Sequence, residues 1–278
     1  MDTGNDHATL GPAAQCCDTK YPIILVHGAG SREGKRQSSW GRIPAALKKA
    51  GAQVYISDQD AWGTIEENAE AVKVCILAAL SDAKKEKINA VALSKGGLEM
   101  RYLISKLGMA DKIASLTTIA TPHHGSKTMD YLFKEQDSLL KSAASFVDSL
   151  YKLQGDVNPN FYAVCQQLTT AHSERFNREV LDAPNVYYQS YASMMKRSNS
   201  DMLLFMQHAV VKMFDGASDG IVSVDSAKWG EFKGVITAKG IRGVSHSDLR
   251  DFRRVGPAGQ NVANIYVSIV SDLKELGY

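Results

Sequence analysis

Six residues, Ala92-Leu93-Ser94-Lys95-Gly96-Gly97, constrain this chain more than any other segment of its length. Ahead of them, Asn89 to Leu93 reads as a buried strand. Behind them, Gly96 to Leu107 reads as a helix closed by Gly108. A serine at such a junction sits on a sharp, strained bend, and the bend closes only if the residues two before and two after are small. Ala92 and Gly96 meet that requirement. A plain helix N-cap serine explains the serine but not the small flanking residues at a strand-to-helix turn. The segment is therefore read as a nucleophile elbow, which lifts the Ser94 hydroxyl above the carboxyl edge of a parallel sheet.

The rest of the chain supplies such a sheet. Ile23 to Val26 is a short apolar run, as in a strand buried on both faces. Gln53 to Ser57, Ile113 to Thr121, Val186 to Ala192 and Phe232 to Ala238 read as further strands. Helical periodicity lies between them: Ile43 to Ala50, then Ile65 to about Lys87 behind a Thr64/Glu67 capping box, and Val262 to Leu276 at the end. This alternation predicts an α/β fold, mostly parallel, with helices on both faces. Residues 1 to 20 read as a loosely attached arm, and 21 to 278 as one domain. The alternation breaks after Gly125. About 127 to 181 and 202 to 214 are helical and carry more apolar surface than a connection needs, as in an inserted cap or lid.

Composition narrows the function classes. A formal net charge of +2 over 278 residues offers no footing for nucleic acid or an anionic surface. No apolar run near the start is long enough to span a bilayer. The first fifteen residues lack the layout of a signal peptide, so the sequence as it stands reads as cytoplasmic, or as exported with a signal removed. The four cysteines show no metal-type spacing and read as free thiols.

A serine nucleophile needs a base, an acid to orient the base, and donors for an oxyanion. The chain order serine, acid, histidine selects His246, in the loop Gly243 to Asp248. His123 and His124 come too early to leave room for an acid ahead of them, and His172 and His208 fall in the cap. The acid is read as Asp219, in the turn Ser218-Asp219-Gly220, with Asp215 and Asp225 as rivals. The oxyanion donors are the backbone N–H groups of Lys95, after the serine, and Ala29, in His27-Gly28-Ala29-Gly30. His27 itself reads as a buried histidine that shapes its loop.

Taken together, Val26-His27-Gly28, Ser94-Lys95-Gly96-Gly97, Thr121 to Ser126, Ser218 to Val224 and Ser245 to Asp248 resemble bacterial triacylglycerol lipases of the clostridial and Proteus-like kind, from about Tyr21 to the end. The resemblance implies the α/β-hydrolase fold, hydrolysis of long-chain acyl esters, and contact with a lipid–water interface. It supports Asp219 and His246 as partners of Ser94. Leu93 and Ala92 depart from the His and Gly usual at those positions. His27 and Leu93 are expected beside the substrate, and Phe205, Met206, Met213 and Phe214 as the wall of the acyl pocket. No cofactor is required. The resemblance also suggests a structural calcium ion held by Asp248, with Asp201 or Asp215 as a second ligand. A carboxylesterase, a polyester hydrolase and an acyltransferase would use the same triad, and a non-catalytic binding protein of this fold is the remaining alternative.

Overall fold

The computed structural model describes residues 15–33, 38–238, 240–251 and 261–278. Six strands form one sheet: β1 (Ile23–Val26), β2 (Val54–Ile56), β3 (Ile88–Leu93), β4 (Ile113–Ile119), β5 (Tyr187–Ser193) and β6 (Glu231–Ile236). Their spatial order is β2-β1-β3-β4-β5-β6, and every neighbouring pair is parallel. The sheet is thus wholly parallel, and β1, β3 and β4 are buried along their whole length.

Alternation along these strands divides the core in two. Ile23 and Leu25 of β1 pack, with Val91 and Leu93 of β3, under α1 (Ile43–Lys49) and α9 (Val262–Glu275). Ile24, Val26, Ala90 and Ala92 face α2 (Ile65–Ala83) and α3 (Lys95–Lys106) on the opposite side. α2 starts on the expected capping box: Thr64 accepts from Glu67 N–H, and Glu67 reaches back to Thr64 N–H. Its Ile65, Val72 and Ile76 are fully buried, each contributing roughly 1.5–3 kcal/mol of apolar transfer.

The chain leaves β1 for β2 on one side, then crosses back to β3 on the other. The carboxyl ends of β1 and β3 therefore flank the topological switch point, where connections diverge and leave a crevice. Between β4 and β5 lie four helices, α4 (Lys127–Glu135), α5 (Asp137–Gln154), α6 (Phe161–Gln167) and α7 (Thr170–Glu179). After β5 comes α8 (Phe205–Phe214). These helices cover that crevice rather than the sheet faces, so α5 buries only Leu140 and Ala144.

The described part of the segment expected as a loosely attached arm over residues 1 to 20 is packed on the domain. From Cys17 onward the chain is docked: Cys17 N–H donates to Ala50 O and Lys20 N–H to Tyr278 O. Cys17 is fully buried because it behaves as a small hydrophobe against α9, its thiol donating to Val267 O. Residues 1–14 lie outside the described part. Among the described residues no helix is long and apolar enough to cross a membrane, and all four cysteines are free thiols.

Candidate active site

The bend at the end of β3 has the strain the sequence predicts. Ser94 has φ 56° and ψ −133°, a region that costs a non-glycine residue about 1–3 kcal/mol. Neighbouring strands hold it there: Ser94 N–H donates to Ile119 O at 3.0 Å, and the Thr121 hydroxyl donates to Ser94 O at 2.7 Å. Gly96 is required by close approach, since a Cβ there would lie 2.5 Å from His27 O and 2.8 Å from Val26 O. Gly28 brings the β1 loop equally close. A Cβ on it would stand 2.6 Å from Ser94 Cβ and 3.1 Å from Ser94 Oγ.

Among the described residues, neither Ala29 N–H nor Lys95 N–H donates to a protein acceptor. Both are available where the two loops converge on Ser94. Lys95 opens α3, so its N–H also lies at the positive end of that helix. Its side chain points the other way, buried against Glu99 and donating to Gly63 O. Glu99 also accepts from Asn68 and Gln59, and Gln59 donates to His27 O. This buried network ties the β1 loop to the first turn of α3.

His246 follows β6, and Asp219 lies in the turn region after β5. The His246 Nδ1 to Asp219 Oδ2 distance is 2.7 Å. Asp219 is fully buried and saturated: Oδ1 accepts from Ile221 N–H (3.0 Å) and Val222 N–H (2.9 Å), and Oδ2 also accepts from the Ser193 hydroxyl (3.1 Å). The rival acids are engaged elsewhere. Asp215 accepts from the Ser126 and Thr128 hydroxyls and from Lys127 and Thr128 N–H, capping α4 from the end of α8. Asp225 is exposed and paired with Lys228.

Three other histidines are engaged elsewhere. His27 is buried, with Nδ1 against its neighbour Gly28 O, and desolvation pushes its pKa down to about 4. It is a neutral loop-shaping group. His123 contacts Thr118 and Arg101, and burial also drives its pKa down. His208 pairs with Ser198.

An apolar cavity of about 520 Å³ reaches Ser94, and a smaller one of about 310 Å³ reaches His246. The two share Leu203 and Ile221 as wall. Among the described residues the Ser94 hydroxyl makes no hydrogen bond to the His246 ring. Such bonds commonly tighten only when substrate is in place. Of the four residues expected to line the acyl pocket, Met206 lines the cavity that reaches Ser94. Met202, Leu203, Gln207, Val210 and Val211 share its side of the cap at helical spacing. Phe205 is off that face. Met213 and Phe214 belong to the next turn, Met213 being exposed and Phe214 stacking on Tyr131. Leu93 is buried in the sheet core. Met129, Leu132 and Leu168 complete the wall from α4 and the α6–α7 junction. The sequence signals their apolar character but not their direction.

The calcium expectation meets a different donor set. Asp248 Oδ1 accepts from Arg242 at 3.2 Å, and Oδ2 from Ser245 N–H at 3.0 Å. Asp215 is the α4 cap. Asp201 accepts from the Ser245 hydroxyl and Leu203 N–H. A hard cation needs about six to eight oxygens with free lone pairs, and these carboxylates face N–H and O–H donors and a guanidinium. Among the described residues, no group of carboxylate, histidine and cysteine side chains makes up such a donor set.

A serine forced onto a bend at the switch point, with a histidine–carboxylate pair at the strand ends beyond it, is the arrangement of the α/β hydrolases. A crystal structure of Staphylococcus hyicus lipase shares the fold, with a TM-score of 0.68 at 19% identity, covering 93% of this chain and 97% of that one. The family model for palmitoyl protein thioesterase matches residues 22–199, and the chain belongs to that family. It is 29% identical to triacylglycerol lipase 2 of Saccharomyces cerevisiae over 259 residues, 86% of this chain and 74% of that protein. It is also 29% identical to the triacylglycerol lipase of Burkholderia plantarii over 184 residues, 60% of this chain and 51% of that protein. The chain is an ester-hydrolysing enzyme.

Proposed function

We propose that the chain is a lipase that cleaves long-chain acyl esters through an acyl-enzyme on Ser94. The observation that carries this is the apolar cavity of about 520 Å³ that opens on the Ser94 side chain, within the range of ligand pockets. In this reading Ser94 Oγ attacks the ester carbonyl carbon while His246 Nε2 takes the hydroxyl proton. Asp219 Oδ2 accepts from the Nδ1–H, which holds the tautomer and favours the imidazolium. The N–H groups of Ala29 and Lys95 hold the oxyanion. As the tetrahedral carbon collapses, the bond to the alcohol oxygen breaks and His246 returns the proton to the alcohol. Water, deprotonated by the same nitrogen, then attacks the acyl carbonyl and frees the acid and Ser94.

Exposed apolar side chains on the cap support action at a lipid–water interface. Phe146 and Leu153 of α5 are 71% and 87% exposed, and Met202 and Met206 are both 74% exposed. Met202 and Met206 also line the cavity, and apolar side chains exposed there suit a lid that opens against lipid.

The test is a panel of glyceride and p-nitrophenyl esters of two to eighteen carbons, with native protein and Ser94→Ala. Long acyl chains are expected to turn over fastest, with a rise in rate above the substrate's solubility limit. Ser94→Ala should be folded, silent and unlabelled by a fluorophosphonate probe. Turnover by Ser94→Ala refutes the nucleophile. A short-chain optimum with no rise at the solubility limit refutes the lipase reading in favour of a plain carboxylesterase. The family match favours one addition to the panel, an S-palmitoyl thioester, since the same acyl cavity and the same acyl-enzyme serve a thiol leaving group.

A further inference from the structure

We propose that Arg242 is an internal clasp that does for the histidine loop the work a bound divalent cation would otherwise do. It ties the segment after β5 to the loop that bears His246. The consequence for catalysis rests on the reading of His246 as the base, whereas the clasp itself does not.

Two buried carboxylates meet there. Asp201 belongs to the segment after β5 and Asp248 to the histidine loop, and both are almost wholly inaccessible. Ser245 stands between them, its hydroxyl donating to Asp201 Oδ2 at 2.7 Å and its N–H to Asp248 Oδ2 at 3.0 Å. Two carboxylates held against one residue in a low-dielectric site repel, so a positive charge nearby is required if both are ionised. Arg242 supplies it. Its Nη2 donates to Asp248 Oδ1 at 3.2 Å, and its Nε donates to Ser200 O at 2.7 Å. One end of the guanidinium thus holds the residue before Asp201, and the other holds Asp248. Its planar fork, always charged, suits this double attachment.

The backbone alone would leave the loop less constrained. Val244 N–H donates to Met194 O and Lys196 N–H to Arg242 O, which extends pairing only as far as Val244. Beyond it, the backbone bonds of Ser245 to Asp248 are local turns, such as Asp248 N–H to Ser245 O, apart from the bond from His246 N–H to Asp219 O, and side chains tie the loop to the segment after β5. Asp219 holds the His246 ring directly, and the carboxylates that Arg242 and Ser245 anchor brace the loop that carries it. Arg242 is a positioning residue. Its side chain is 27% exposed, so the charge is partly screened but the hydrogen bonds are not.

The experiment compares native protein, Arg242→Ala and Arg242→Lys, each with chelator or with millimolar calcium, by thermal melting and by p-nitrophenyl ester kinetics. Melting is also measured in a Ser94→Ala background, where the clasp is read without any hydrolysis. Native protein should melt at one temperature in all conditions. Arg242→Ala should melt roughly 5 °C lower, with kcat down about tenfold and KM within about twofold, the split expected of a misplaced base. Arg242→Lys should recover part of both, because an ammonium cannot hold both partners in the same fork. Calcium should raise the melting temperature of Arg242→Ala alone, since the Asp248 oxygen that Arg242 holds is released only there. A native protein destabilised by chelator, or an Arg242→Ala that melts like native, overturns the clasp. An Arg242→Ala indifferent to calcium overturns its equivalence to a cation. Loss of melting temperature without any esterase activity in the native protein would overturn the hydrolase reading and leave the clasp standing.

Discussion

Asp219→Asn is the sharpest perturbation of the histidine–carboxylate pair, because the structure dictates how the amide must sit. Asp219 Oδ1 accepts from two backbone donors, Ile221 N–H and Val222 N–H, at 3.0 and 2.9 Å. An asparagine NH₂ cannot face those N–H groups, so its oxygen must take that side. The NH₂ then takes the place of Oδ2, 2.7 Å from His246 Nδ1. A donor there forces Nδ1 to be the acceptor and puts the ring proton on Nε2, the atom that receives the proton of Ser94 in the proposed mechanism. The Ser193 hydroxyl, which donates to Oδ2, can rotate to accept instead, so the fold survives. The wrong tautomer in a serine triad lowers kcat by about 10⁴, equivalent to about 5.5 kcal/mol of barrier. The assay is p-nitrophenyl ester turnover at saturating substrate, with circular dichroism and melting as controls for folding. A folded Asp219→Asn within tenfold of native kcat would refute the reasoning, because the amide would then not be setting the tautomer of the base.

Three further outcomes follow from other contacts. Gly28→Ala introduces a Cβ within 2.6 Å of Ser94 Cβ; it should displace the loop bearing Ala29 and lower kcat at least about a hundredfold while the far-ultraviolet dichroism stays native, and unchanged kcat would sink the close-approach argument. Asp215→Ala removes four hydrogen bonds from the start of α4; a cost of about 1–2 kcal/mol should appear as faster tryptic cleavage at Lys127 or Lys134, and an unaltered cleavage pattern would count against it. Stability should also depend on acid through His27, whose folded value is about 4 against an ordinary 6.5. The unfolded chain binds the proton more readily, so the stabilising effect is fully present above pH 6.5. It is lost as pH falls toward 4, by up to about 3 kcal/mol, with buried His123 acting in the same sense. Urea unfolding that gives a flat stability between pH 6.5 and 4.5 would contradict this.

What could be read from the chain alone is what depends on neighbours in sequence. The bend at Ser94 was legible because strand, serine and small flanking residues lie within a few positions, and steric demands at that range are local. The parallel sheet and the α2 capping box were legible for the same reason, through period and spacing. The apolar surplus that marks the cap could be counted, but direction could not. Phe205, Met213 and Phe214 look as suitable as Met206 until packing shows which face of α8 meets the cavity. The choice of acid was tertiary as well: Asp215 and Asp219 are four residues apart, and only the docking of α4 on α8 commits Asp215 to capping while Asp219 meets His246. The surroundings of Asp248 are tertiary on the same ground, since the charge beside it is set by which side chain the fold turns toward it. Hydrogen bonding and burial between distant segments depend on where the sheet brings them, and no periodicity along the chain encodes that.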